Sequence, residues 1–173
     1  MPVGKLSALL LAATLAAAAN AQVPRGFTQQ STDQQRLESN NAVSARRYQS
    51  GVEALQAKNY QVAEGIFQEV LLENPNLADA NFMMGVTKMS MGKWEDAKKF
   101  LEIAVRKSPK EPDPKSRLGV TLIKLGDIDG ALQQRADLEK MNRDCKGKCR
   151  NADWIAGGLA MIDAALPTKP AKP

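Results

Sequence analysis

A 34-residue period runs through the middle of the chain and constrains its fold more than any other feature. It separates Gly51, Gly85 and Gly119, and again Ala63, Ala97 and Ala131. It also relates Phe67 to Leu101 and Pro75 to Pro109. A unit of this length cannot bury its own apolar face, so copies must stack, each covering the next. Residues 78–111 carry the clearest copy, with Met84, Trp94 and Leu101 as large apolar residues, Gly85, Ala97 and Ala104 as small ones, and Pro109 as a breaker.

Each copy divides into two predicted helices: 44–57 and 60–73, then 78–91 and 94–107, then 112–125 and 128–142. Lys58-Asn59, Gly92 and Gly126 stand where the first helix of each pair must end, and Gly or Asn accepts the left-handed conformation of a helix exit. Asn74-Pro75-Asn76 and Ser108-Pro109 end second helices, because proline disfavours helix at the residue before it. Pro112 and Pro114 are tolerated at a helix start. A mid-helix glycine costs about 1 kcal/mol against alanine. Glycines recurring at Gly51, Gly85 and Gly119 therefore point to a close approach of each first helix to its partner, with Ala63, Ala97 and Ala131 as the matching small residues.

Gly51/Ala63/Phe67/Pro75, Gly85/Ala97/Leu101/Pro109 and Gly119/Ala131 resemble the tetratricopeptide repeat over residues 44–143. The copies fall at about 44–77, 78–111 and 112–145. The resemblance implies an all-α, right-handed solenoid of three helix hairpins whose first helices line a concave groove. The third copy departs from the pattern, since Arg135 replaces the large apolar residue and Arg143 replaces the proline. Its second helix is expected to pack differently or to face another neighbour. Residues 151–166 follow as an amphipathic helix with Asn151 as N-cap and Ile155, Leu159, Ile162 and Leu166 on one face, Trp154 adding area at its start. A solenoid end exposes an apolar face, so this helix is expected to cap it. The alternative is a docking helix for a partner or a second copy.

On the first helices, residues at i, i+4 and i+7 share a face. The glycine stripe points at the second helices. The neighbouring stripe is Tyr48, Val52 and Leu55, then Phe82, Val86 and Met89, then Ser116, Val120 and Ile123, with Arg117 and Lys124 at its third-repeat end. The candidate partner-binding residues are Tyr48, Val52, Leu55, Phe82, Val86, Met89, Val120, Ile123 and Lys124. Such a stripe either receives an extended or helical peptide or is buried by the polar arm or neighbouring helices. Some tetratricopeptide domains clamp a C-terminal carboxylate from this face. The corresponding places here hold Tyr48, Val52, Phe82 and Ser116, so that clamp is not carried over.

Residues 1–21 read as a secretory signal peptide: Lys5, an apolar run from Leu6 to Ala19, and small residues at Ala19 and Ala21. The run falls short of the about 20 apolar residues a membrane span needs, so a cleaved signal and no membrane insertion after cleavage are expected. A mature chain from Gln22 in the periplasm, or secreted, follows. Residues 22–43 form a polar, mostly disordered arm, 144–166 the cysteine turn and capping helix, and 167–173 a flexible basic tail. In an exported chain Cys145 and Cys149 are expected to form one disulfide. Their spacing is not C-x-x-C.

The chain has no histidine, which removes the commonest general base and histidine-ligated metals. No catalytic residue, cofactor or metal is assigned. Met83, Met84, Met89 and Met91 read as core filler rather than a Cu(I) site. The net charge of +5 is scattered among acidic residues, so no nucleic-acid surface is indicated. The expected function is a non-catalytic module holding a peptide segment of an envelope protein in the groove. The alternatives are a self-associating structural subunit, or a thiol- or metal-binding protein using Cys145 and Cys149.

Overall fold

Alternating helix formers and breakers produce seven helices and no strand among residues 42–167, which the computed structural model describes. The expected signal peptide, the arm as far as residue 41 and the tail from residue 168 lie outside the described residues. The helices are α1 (42–56), α2 (Tyr60–Glu73), α3 (Ala78–Ser90), α4 (Trp94–Lys107), α5 (Pro112–Lys124), α6 (Ile128–Cys145) and α7 (Ala152–Ala165). Lys58, Gly92 and Gly126 take φ of 61°, 73° and 82° at the three hairpin turns. The two glycines do so without strain, whereas Lys58 carries the cost of a side chain in the left-handed region. Asp127 caps α6 by accepting a hydrogen bond from the Gly130 amide at 2.9 Å.

The helices pair as α1/α2, α3/α4 and α5/α6, and the core sits in the layers between them. One cluster joins Ala63 and Phe67 of α2 to Met84 of α3. A second joins Ala97 and Leu101 of α4 to Leu118 and Leu122 of α5 and Ala131 of α6. Each cluster therefore crosses from one hairpin to the next, which is how stacked repeats acquire a continuous core. Met83 and Met84 belong to the first cluster and Met89 to the second, so these methionines fill gaps in two different layers. Polar contacts reinforce the stack. Lys88 of α3 reaches Glu64 of α2 at 2.6 Å, and its hydrogen bond holds the Glu64 carboxyl below the usual carboxylate range. Arg47 of α1 pairs with Glu73 of α2. Buried Asn81 donates to the carbonyls of Pro75 and Leu77 at 3.0 and 2.9 Å, fixing the turn between the first two hairpins.

The mid-helix glycines are notches. A methyl group at Gly51 would lie 2.7 Å from Phe67 Cε1, and one at Gly85 would lie 2.7 Å from Leu101 Cγ. Each notch thus receives the large residue of its own hairpin. The third hairpin differs. A methyl group at Gly119 would lie 2.5 Å from Ile162 Cδ1, a residue of α7. Arg135 faces that new neighbour: its Nε donates to Asp163 Oδ1 at 2.5 Å and its Nη1 to Glu139. Ile162 is fully buried, and Gly158 brings α7 against Ser116 of α5 and Leu138 of α6.

Two expectations for the last helix are corrected. The buried ridge of α7 is Ile155, Gly158 and Ile162, with Leu159 and Leu166 half-buried, and Trp154 is 61% exposed rather than adding buried area. Asn151 occupies the N-cap position, but its side chain makes no capping bond; its Nδ2 instead donates to Glu111 Oε2 at 3.4 Å.

Candidate functional site

The residues of the apolar stripe come from α1, α3 and α5, the first helix of each hairpin, and the structure anchors most of them by one flank. Tyr48, Val52 and Leu55 are half-buried against the first cluster. Phe82, Met89 and Ile123 are half-buried against the second. Val86 and Val120 are half-buried outside both clusters, and Lys124 is exposed. Ser116, the α5 member nearest Pro112, does not line an open face. It is 1% exposed beneath α7, with its hydroxyl donating to the Asp113 carbonyl at 2.8 Å. The helix that fills the Gly119 notch therefore also covers one end of the stripe.

Rigid placement is strongest at Tyr48. Its ring stands 5.9 Å from that of Phe67 at a tilt of 59°, a favourable aromatic geometry. Burial pushes its hydroxyl pKa up, with the Asp79 carboxylate adding to the effect. Tyr48 also lines a cleft of about 750 Å³ with Arg47, Glu73 and Asp79, where α1 meets the α2–α3 turn.

A second cleft of about 860 Å³ lies at the far end of the third hairpin. The start of α5, the end of α6 and the start of α7 wall it, and Lys115 lines it although only 6% exposed. Nothing in the stripe pattern marks it. Sequence reasoning missed it because the second helix of the third hairpin, expected to end at 142, runs on to Cys145. Cys145 and Cys149 close the adjoining turn at disulfide distance, with Cα atoms 5.2 Å apart. Among the described residues no three His, Cys, Asp or Glu side chains gather as a metal site, and no described helix is long and apolar enough to cross a membrane.

With the paired helices, glycine notches and interleaved core in place, comparison with known proteins decides the repeat type. The tetratricopeptide-repeat family model matches residues 54–113. That stretch is tetratricopeptide repeat. Solved structures share the fold more widely than the family model does. PcrH of Pseudomonas aeruginosa, in complex with the chaperone binding region of PopD, is 21% identical, with 72% of this chain and 92% of that chain covered and a TM-score of 0.64. SycD, a type III secretion translocator chaperone of Yersinia enterocolitica, is 17% identical, with 72% and 92% covered and a TM-score of 0.61. SycD in complex with a peptide of the translocator YopD is 16% identical, with 70% and 90% covered and a TM-score of 0.59. At these identities the likeness is one of fold. No curated protein matches the chain in sequence.

Proposed function

We propose that this protein is a non-catalytic tetratricopeptide module that holds a peptide segment of an envelope protein, after export to the periplasm and removal of residues 1–21. The observation that carries the reading is the apolar stripe across α1, α3 and α5. Tyr48, Val52, Leu55, Phe82, Met89 and Ile123 each pair a buried flank with an accessible one. Side chains held this way lose little further entropy on binding, which is what a preorganised peptide groove needs. Two chains of the same fold are solved with segments of other proteins bound, PcrH with the chaperone binding region of PopD and SycD with a peptide of the translocator YopD, which supports a peptide as the ligand class. Lys124 would meet the ligand at the far end of α5 from Ser116, which α7 covers.

Val86 and Val120 are the positions to test, because they lie outside both core clusters. Photocrosslinkers at Phe82 and Leu55 in the exported protein should capture a partner, and Val86→Glu with Val120→Glu should abolish the capture with helix content unchanged. A folded double variant that keeps every crosslink contradicts the groove. Amino-terminal sequencing of the periplasmic fraction should begin at Gln22; a chain retained in the cytoplasm contradicts export. A second reading, self-association, draws on exposed Trp154. Light scattering on the wild type and on Trp154→Ser separates it: a monomer in both removes that reading.

A further inference from the structure

We propose that the cleft at the far end of the third hairpin is a second docking site, separate from the stripe, and that it takes an acidic segment of a partner protein. Its existence follows from the length of α6, which has 18 residues where α2 and α4 have 14. The added turn overhangs α5, and the Cys145–Cys149 turn then carries the chain back into α7. A concavity is left between them. Met141 and buried Ile155 give it an apolar floor.

The charges around it are unbalanced in a specific way. Lys110, Lys140 and Arg150 stand exposed at the rim, and Lys115 lines the interior with its side chain only 8% exposed. The ion pair of Lys115 is with Asp137 Oδ2 at 3.6 Å, beyond hydrogen-bond distance. The other oxygen of Asp137, Oδ1, accepts from Gln133 at 3.2 Å. Four cations, Lys110, Lys115, Lys140 and Arg150, thus face three carboxylates, Glu111, Asp137 and Asp144, and the lining keeps a net positive charge. An ammonium on a buried stem whose ion pair is this long keeps hydrogen-bonding capacity to spare, and a carboxylate brought in by a ligand fills it with a charge-assisted hydrogen bond. Lys146 and Lys148 on the adjoining turn are exposed and extend the positive field beyond the cleft mouth. A flat or convex face would suit an anionic membrane; a concave cleft with an apolar floor suits a chain that inserts one acidic side chain and lays an apolar neighbour beside it.

The test uses a phage-displayed library of random decapeptides panned on the mature chain. The expected pool is enriched in Asp and Glu, and its binding falls about tenfold when both rim cations are reversed in Lys140→Glu/Arg150→Glu. Lys115→Met should lose the same peptides, and Val86→Glu should keep them, so failure of the cleft and failure of the groove read out separately. The rim pair is exposed, so the test stands even where Lys115→Met does not fold. A pool without acidic enrichment overturns the proposal, as does an acidic pool indifferent to the rim reversal. Sedimentation with phosphatidylglycerol vesicles that disappears in Lys140→Glu/Arg150→Glu, with no acidic enrichment in the pool, also overturns it and assigns this end to a membrane surface.

Discussion

The first two hairpins and the third satisfy the same geometric demand by different means. In the first two, the glycine of the first helix receives the large apolar residue of the second, Phe67 at Gly51 and Leu101 at Gly85. In the third, that second-helix position holds Arg135, and Ile162 of α7 enters the notch at Gly119 instead. The demand belongs to the notch rather than to the hairpin, so an element further along the chain can meet it. The displaced position then takes a new task, because Arg135 ties α6 to α7 through Asp163. On this account α7 is part of the third hairpin's core as well as its cover.

The sharpest way to break the comparison is to truncate the same repeat position in two hairpins. Phe67→Ala should cost about 3–5 kcal/mol in urea unfolding, the loss of a fully buried aromatic side chain. Arg135→Ala should cost no more than about 1 kcal/mol, since its ion pairs are partly solvated. Equal losses contradict the division of roles. A smaller effect unites the notches. Gly51→Ala should destabilise by about 1–3 kcal/mol, because the packed Phe67 ring cannot give way. Gly119→Ala meets buried Ile162 at Cδ1 (2.5 Å) and again at Cγ1 (2.9 Å), so its loss should fall in the same range. A neutral Gly119→Ala contradicts the notch in the third hairpin.

Acid provides the gentlest probe. The hydrogen bond from Arg135 holds the Asp163 carboxyl below the usual carboxylate range. A depressed folded pKa adds stability that is complete above the unfolded value, about 3.9, and is lost as pH falls through the folded value. The gap in stability between the wild type and Asp163→Asn should therefore be at most about 1 kcal/mol near neutrality and should close as the pH falls below that of an ordinary aspartate. A gap that widens in acid contradicts the pairing.

The period made the stack legible before any coordinate. The ends of α2 and α4 fall where Lys58-Asn59, Pro75, Gly92 and Pro109 place them, because breakers act locally. The departure at Arg135 was legible as well, but not its consequence. Which element fills a vacated notch depends on where the chain returns, and no local rule carries that. The same holds for Ser116, whose spacing puts it on the stripe while α7 covers it, and for Trp154, which stands exposed beside the buried Ile155. Lys115 was silent for a related reason: a lysine on an amphipathic helix reads as solvated until a distant helix closes over its stem.

Hydrogen exchange on Ile162→Ala tests the central claim most directly. If Ile162 is the core residue of the third hairpin, amides of α5 and α6 should lose protection together with those of α7, while α2 and α3 keep theirs. Faster exchange confined to α7, with α5 and α6 as protected as in the wild type, would contradict it.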